Sequence, residues 1–466
     1  MSGRPKVGFL PSAMLEDEYN KTAHVRPEAQ KAAGQLKAIL DEKLGADIVY
    51  WGLVEDETMA EQAAQLFKRE DVSLIISTYL AYTPGIVQTR ALLQMNVPVV
   101  IWNTQLSRGL KPGDDFDIVM VNSGSAGIPE LTNALLRAGK QFSCITGHAL
   151  DEAVLAELAD YCAAARAVRR LRQARIGLIG HTYQGMTDLM IDAYALRHKI
   201  GPLIWQVELE ELGAATAAVP ETEAKALAEE LGSLWDISGV EEERFLRSMK
   251  LILAYQTLIK KHNLDAVCSF DQGLLSDPRI GTPPPLATSY LTSKGIPFTC
   301  EVDIPTAVAM LILQELAGSA TFLEYLVIDF DTNSVLLNHD GHGNMGLATS
   351  PKDVKIKPSI YYKGVHGYSA AGEYAYKPGD VTMAGLVSVG SKGWRLVTGE
   401  GESLPWEPRP IVAPQMLFRP KEGRVEAFID RWCIGGGGHH QAVAYGLLNS
   451  KVAKVAELLG IEVAIV

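Results

Sequence analysis

The chain has 466 residues, 47% of them hydrophobic and 21% charged, and 43 Lys plus Arg against 55 Asp plus Glu give a formal net charge of −12. Its length exceeds what one hydrophobic core serves and implies two or three domains of roughly 100–200 residues. The composition excludes wholesale disorder, and the acidic balance argues against a nucleic acid or an anionic membrane as the main partner.

Through the first third, short apolar runs alternate with amphipathic stretches. Lys6-Val7-Gly8-Phe9-Leu10, Asp47-Ile48-Val49-Tyr50-Trp51, Val72-Ser73-Leu74-Ile75-Ile76-Ser77 and Pro98-Val99-Val100-Ile101-Trp102 read as strands, and residues 27–44 as one of the intervening helices. The alternation predicts parallel pairing with helices on both faces. A helical pattern over 151–172, rich in alanine and arginine, leads into a new strand at Arg175-Ile176-Gly177-Leu178-Ile179-Gly180 and marks a domain junction. The theme then repeats, with strands near Leu203-Ile204-Trp205 and at Asp265-Ala266-Val267-Cys268-Ser269-Phe270, and helices over 221–231 and 240–262. After a helix over 305–317 the texture changes to short alternating runs broken by Gly, Pro and Asn, among them Leu326-Val327-Ile328 and Ser334-Val335-Leu336-Leu337, closing with a helix near 451–459. The expected architecture is α/β: two doubly wound Rossmann-like α/β domains, residues 1–172 and 173–318, followed by a β-rich, barrel-like domain over 319–466.

Five cysteines, Cys144, Cys162, Cys268, Cys300 and Cys433, are odd in number, widely spaced and never in a Cys-x-x-Cys pair, so neither a disulfide framework nor a zinc ribbon is expected. There is no signal-peptide pattern and no run of about 18 apolar residues, which leads to the expectation of a soluble, unprocessed protein of the reducing cytoplasm. No Gly-x-Gly-x-x-Gly follows the first strand and no phosphate-loop motif occurs, so nothing argues for a nucleotide cofactor.

Chemistry-bearing residues gather in three places. Gly435-Gly436-Gly437-Gly438-His439-His440 presents two imidazoles after a glycine run that is costly to order, which implies a backbone approaching a metal or polar ligand closely; the plainer reading is a surface turn. Cys300-Glu301-Val302-Asp303 follows a short strand, Pro297-Phe298-Thr299-Cys300, and so stands where ligand groups collect in α/β domains, although Asp303 also reads as the acid that opens the next helix. His339-Asp340-Gly341-His342 lies in a turn, and Glu324 sits among apolar residues at the start of the β-rich part, where a solvated strand-edge acid would be ordinary. Two carboxylates and two imidazoles form a mixed oxygen and nitrogen donor set suited to a divalent first-row metal such as Mn²⁺. Such a metal polarises a carbonyl or hydroxyl while a neighbouring carboxylate acts as general base. His148 and His181 follow apolar strands and are weaker candidates, while His24, His198, His262 and His366 read as surface or satisfied core groups.

The order and spacing of several marks resemble the L-arabinose isomerases, within the wider L-fucose and L-arabinose isomerase superfamily, over nearly the whole chain. They are Val99-Val100-Ile101-Trp102-Asn103-Thr104-Gln105, Thr146-Gly147-His148, the run from Phe270 to Asp303, Phe322-Leu323-Glu324, His339 and Gly436-Gly437-Gly438-His439-His440. The resemblance implies two α/β domains and a β-rich one, trimeric or hexameric homo-oligomers with the active site between subunits, a sugar substrate, and Mn²⁺ as cofactor with Co²⁺ or Mg²⁺ as alternatives. It assigns Glu301, Glu324, His339 and His440 as metal ligands, with Glu301 and Glu324 also passing a proton between two carbons. Because the interval from Glu324 to His339 is shorter here than in the family, Asp329 or Asp331 stands as an alternative to Glu324, and His342 and His439 as alternative imidazoles.

The chain departs from the family where a sugar-contacting stretch resembling Asn-Gln-Ser-Ala-His-Gly appears as Asn122-Ser123-Gly124-Ser125-Ala126-Gly127, and again at His181-Thr182-Tyr183-Gln184-Gly185-Met186. Loss of groups that hydrogen-bond sugar hydroxyls shifts specificity. The expected activity is therefore a metal-dependent aldose–ketose isomerase acting on a sugar other than plain L-arabinose. Its rivals are a non-catalytic sugar-binding or regulatory protein, and an epimerase or hydrolase using the same metal.

Overall fold

The computed structural model describes residues 4–13, 25–359 and 369–466. They form two compact units, Met1–Arg169 and Arg170–Val466.

In the first unit, β1 (Lys6–Ser12), β2 (Asp47–Tyr50), β3 (Leu74–Tyr79), β4 (Val99–Asn103) and β5 (Ser143–Thr146) form a wholly parallel sheet in the order β2-β1-β3-β4-β5. Parallel pairing forces a crossover between consecutive strands, and helices supply it. The first of these, Val25–Lys43, buries Val25, Ala29, Ala33, Leu36 and Leu40, the spacing of three to four that puts them on one stripe. Asp56 starts the helix Glu57–Arg69 by accepting the Met59 N–H at 2.7 Å. β3 is buried at every residue, as a central parallel strand must be.

The second unit holds two sheets. β6 (Arg175–Ile179), β7 (Leu203–Val207), β8 (Ala266–Ser269) and β9 (Phe298–Cys300) are parallel in the order β7-β6-β8-β9. The other sheet contains β10 (Thr321–Asp329), β11 (Ser334–Asn338), β12 (Lys355–Pro358), β13 (Ala370–Ala375), β14 (Gly379–Ser388), β15 (Trp394–Leu404), β16 (Pro414–Pro420), β17 (His440–Tyr445) and β18 (Glu462–Ile465). Its order is β12-β13-β16-β11-β10-β17-β14-β15-β18, and β16 also pairs with β15. That extra pairing closes β16, β11, β10, β17, β14 and β15 into an antiparallel barrel. The closing helix expected near 451–459 is Asn449–Leu459, and the chain goes on past it to β18, parallel to β15.

Between the two sheets runs the helix Ile304–Ala317, which packs on β17 and β14 of the barrel and on β8 and β9 of the parallel sheet. Every residue from Ile304 to Leu313 is buried, and a helix covered on all sides must be apolar all round. At its N-terminus the ends of β9, β10, β11 and β17 come together around the candidate site.

Candidate functional site

Glu301 and Val302, directly after β9, both adopt left-handed backbone at φ 57° and 60°. This conformation is costly for a β-branched residue such as Val302. It is held from both sides: the Glu301 N–H donates to Asp271 Oδ1 at 3.2 Å, and the Glu301 carbonyl accepts the Tyr183 N–H at 3.1 Å. The reversal points the chain into the next helix. Asp303 caps that helix, its Oδ1 accepting the Thr306 N–H at 2.8 Å, while its Oδ2 lies 2.8 Å from Nδ1 of His440. One carboxylate thus serves as helix cap and as orienting partner of an imidazole.

Strand register supplies the rest. Glu324 of β10 stands opposite His440 of β17 and opposite Asn338 of β11, so His339 leaves β11 at the same end of the barrel. Nε2 of His339 and Nε2 of His440 are 3.1 Å apart, with Phe322 packed against both rings at centroid distances of 4.8 and 4.5 Å. Glu301 Oε2 approaches to 3.5 Å from His440 Nε2 and 3.8 Å from His439 Nε2. It is buried without a hydrogen-bond partner among the described residues.

The glycine run has a local cause. Gly435 ends the helix Val425–Gly435, and Gly436 takes the left-handed cap position at φ 87°. A Cβ on Gly437 would lie 2.2 Å from Nε1 of Trp432, and that indole N–H donates to the Gly438 carbonyl at 3.0 Å. The close backbone approach inferred from the sequence is therefore made to Trp432, and it sets His439 and His440 at the head of β17.

The donor atoms of Glu324, His339 and His440 lie within 4.8 Å of one another, as do those of Glu301, His439 and His440. A buried carboxylate oxygen without a partner is costly unless a cation completes it. The Asp303 contact holds the proton of His440 on Nδ1 and leaves the Nε2 lone pair facing the cluster. On these observations the residues fit a divalent metal with oxygen and nitrogen ligands.

Burial pushes Glu324 up to about 7, against the pull of His440. It also takes Asp340 up to about 6, reinforced by Glu301. Burial holds His339 well below its ordinary value, helped by His440 and His342, and takes His342 down to about 3. For His439 burial acts downward, but the hydrogen bond to Asp188 and the nearby Glu301 carboxylate prevail and raise it to about 10. The same His439 contact holds Asp188 at about 2. At neutral pH His339 and His342 are lone-pair donors and His439 is a cation.

Of the residues named from the sequence, Glu301, Glu324, His339 and His440 converge. Asp329 does not reach them: its Oδ1 accepts the Asp331 and Thr332 N–H groups at 3.0 and 2.9 Å, in the turn at the far end of β10, and Asp331 sits in that same turn. His342 bonds Thr288 Oγ1 at 2.7 Å through Nδ1. His148, in the other unit, is satisfied by the Leu106 carbonyl at 3.0 Å and the Leu150 N–H at 3.2 Å. His181 packs tilted against Phe270 with centroids 4.1 Å apart, His198 lies parallel to Tyr194 at 6.4 Å, and His262 joins Trp205 to Glu211. His24 and His366 lie outside the described residues. Sequence reasoning missed Asp188, whose Oδ2 accepts the His439 N–H at 3.0 Å and meets its Nδ1 at 2.6 Å. Its one signal was an acid beyond the carboxyl end of a parallel strand.

Comparison with known proteins gives matches at both ends of the chain and along most of its length. Residues 20–172 match the fucose/sulfoquinovose isomerase N-terminal domain and residues 319–462 the L-arabinose isomerase C-terminal domain. An L-arabinose isomerase of Shouchella clausii is 24% identical over 92% of this chain and 88% of its own. A sulfoquinovose isomerase of Priestia aryabhattai is 23% identical over 85% of this chain and 86% of its own. A periplasmic sugar-binding protein of Legionella pneumophila overlays with a TM-score of 0.15 at 14% identity, over 67% of this chain and 95% of its own, which carries no structural argument. The chain belongs to the L-fucose/L-arabinose isomerase superfamily and is a sugar isomerase.

Proposed function

We propose that the chain is a metal-dependent isomerase converting an open-chain aldose, other than plain L-arabinose, into its 2-ketose by ene-diol proton transfer. One observation carries this reading: the partnerless buried oxygen of Glu301 faces two imidazole Nε2 atoms, with Glu324 held opposite His440 by strand register. Glu301, Glu324, His339 and His440 would hold Mn²⁺, with Co²⁺ or Mg²⁺ as alternatives. A bound divalent ion supplies the Lewis acid that stabilises negative charge developing on the two sugar oxygens.

The protein's own groups move the proton. One carboxylate takes it from C2 while the C2–H electron pair forms the C1–C2 double bond and O1 gains a proton. Return of a proton to C1, with loss of the O2 proton, gives the ketose. A carboxylate beside the two reacting carbons can take the proton from one and return it to the other.

The change of substrate rests on the stretch 122–127. Ser123 stands in place of the family's glutamine, and its hydroxyl is already engaged with the Tyr82 N–H at 2.9 Å and the Met120 carbonyl at 2.7 Å. Ala126 stands in place of the histidine and offers no hydrogen bond. A cytoplasmic homo-oligomer, trimer or hexamer, and a three-part division at residues 172 and 318 belong to the same proposal. Among the described residues no helix is long and apolar enough to cross a membrane.

Mn²⁺-loaded protein incubated in D₂O with neutral and acidic aldoses should produce a ketose carrying deuterium beside the carbonyl, read by NMR. Glu301→Gln should abolish turnover with the circular dichroism spectrum unchanged. No conversion together with no bound Mn²⁺ would favour a sugar-binding protein instead.

A further inference from the structure

Next to the proposed catalytic centre, and sharing His339 with it, is a second donor set that the isomerase chemistry does not use. Cys300 Sγ lies 3.6 Å from Nδ1 and 3.5 Å from Nε2 of His339, and the His339 and His342 rings meet edge to face with centroids 5.2 Å apart. One donor atom from each of Cys300, His339 and His342 falls within 4.8 Å of the others. All three side chains are buried.

The hydrogen bonds around His342 fix which of its nitrogens is free. The Thr288 hydroxyl gives its single proton to the Pro285 carbonyl at 2.8 Å, so toward Nδ1 of His342, 2.7 Å away, it can only accept. Nδ1 therefore carries the proton of the neutral ring, and Nε2 bears a lone pair. That Nε2 is buried and has no hydrogen-bond partner among the described residues. An imidazole with Nδ1 anchored and Nε2 left open has the arrangement typical of a metal ligand with its outer partner in place.

We propose that Cys300, His339 and His342 form a second metal site, selective for thiophilic ions such as Zn²⁺ and Cd²⁺, whose occupation takes His339 away from the catalytic metal and inhibits the enzyme. The donor set is one sulfur and two nitrogens, whereas the neighbouring set is rich in oxygen, so softer ions sort to the first and Mn²⁺ to the second. As the metal–sulfur bond forms, the thiol proton leaves to water, so binding releases one proton. The inhibitory consequence rests on the assignment of His339 to the catalytic metal; the site itself does not.

Cd²⁺ titration of protein in which the exposed Cys144 and Cys433 are replaced by Ser tests the site directly, through the ultraviolet charge-transfer band of a cadmium thiolate. One equivalent of band should form, vanish in Cys300→Ser and weaken in His342→Gln, with circular dichroism confirming that both variants fold. This readout needs no turnover, so it stands even if the isomerase assignment fails. In the activity arm, Zn²⁺ should inhibit the Mn²⁺-loaded enzyme, with the half-inhibiting concentration raised at least tenfold in Cys300→Ser. A band absent from the parent protein, or unchanged in Cys300→Ser, overturns the site; a band that depends on Cys300 with Zn²⁺ inhibition unchanged overturns the competition for His339.

Discussion

Asp303 shows how much can rest on one side chain. Its two oxygens do separable work, Oδ1 closing the first turn of the central helix and Oδ2 fixing the proton of His440 on Nδ1. Asparagine caps a helix about as well as aspartate but brings no charge to the imidazole, so the two roles come apart by mutation. Asp303→Asn should leave the melting temperature close to that of the parent and weaken Mn²⁺ affinity by about ten- to hundredfold, as loss of a partner that orients a ligand does. Asp303→Ala should lose affinity similarly and also about 1 kcal/mol of stability with the cap. Calorimetric titration and thermal melts of both variants check this. Equal affinity in Asp303→Asn and the parent protein would remove Asp303 as the orienting partner of His440.

Elements place these side chains through constraints that differ in how visible they are in sequence. The helix stop at Gly435 to Gly438 is local: Gly436 takes the left-handed cap and Gly437 packs where a Cβ would lie 2.2 Å from the Trp432 indole nitrogen. Gly437→Ala should therefore cost about 1–3 kcal/mol through overpacking and weaken metal binding by shifting His439 and His440. A thermal melt alongside a metal titration checks it, and an unchanged melting temperature would refute it. Periodicity exposed the alternating α/β part and the β-rich third because both depend on burial patterns a few residues long. It could not show the pairing of β16 with β15 that closes the barrel, since pairing leaves no trace in either strand alone. β18 escaped notice because Val463 and Ile465 are exposed at 38% and 57%, so no buried face marks it. At the site, the residue types and their order were legible, but the opposition of Glu324 to His440 is a matter of register across distant strands. The left-handed turn at Glu301 and Val302 was also hidden, because valine is the wrong residue to announce one.

At the scale of the molecule, all four proposed ligands lie in the unit Arg170–Val466, at the end of a helix buried between two sheets. Concentrating acids there has a cost that depends on pH. Burial holds Glu324 at about 7 and Asp340 at about 6, above the ordinary 4.5 and 3.8, so the folded state favours their protonated forms. Their contribution to stability is fully present below the ordinary values and is lost as pH rises through about 6 to about 7. Metal binding works in the opposite direction, because a cation needs deprotonated carboxylates and neutral imidazoles and so offsets the penalty where it is largest. The rise in melting temperature on adding Mn²⁺ should accordingly be small at about pH 5.5 and larger by several degrees at about pH 8. Glu324→Gln, which cannot ionise, should flatten that difference while leaving the metal-free protein less sensitive to pH over the same range. Thermal melts with and without Mn²⁺ at the two pH values decide the matter. A rise independent of pH would mean that the buried carboxylates are not the groups the metal relieves.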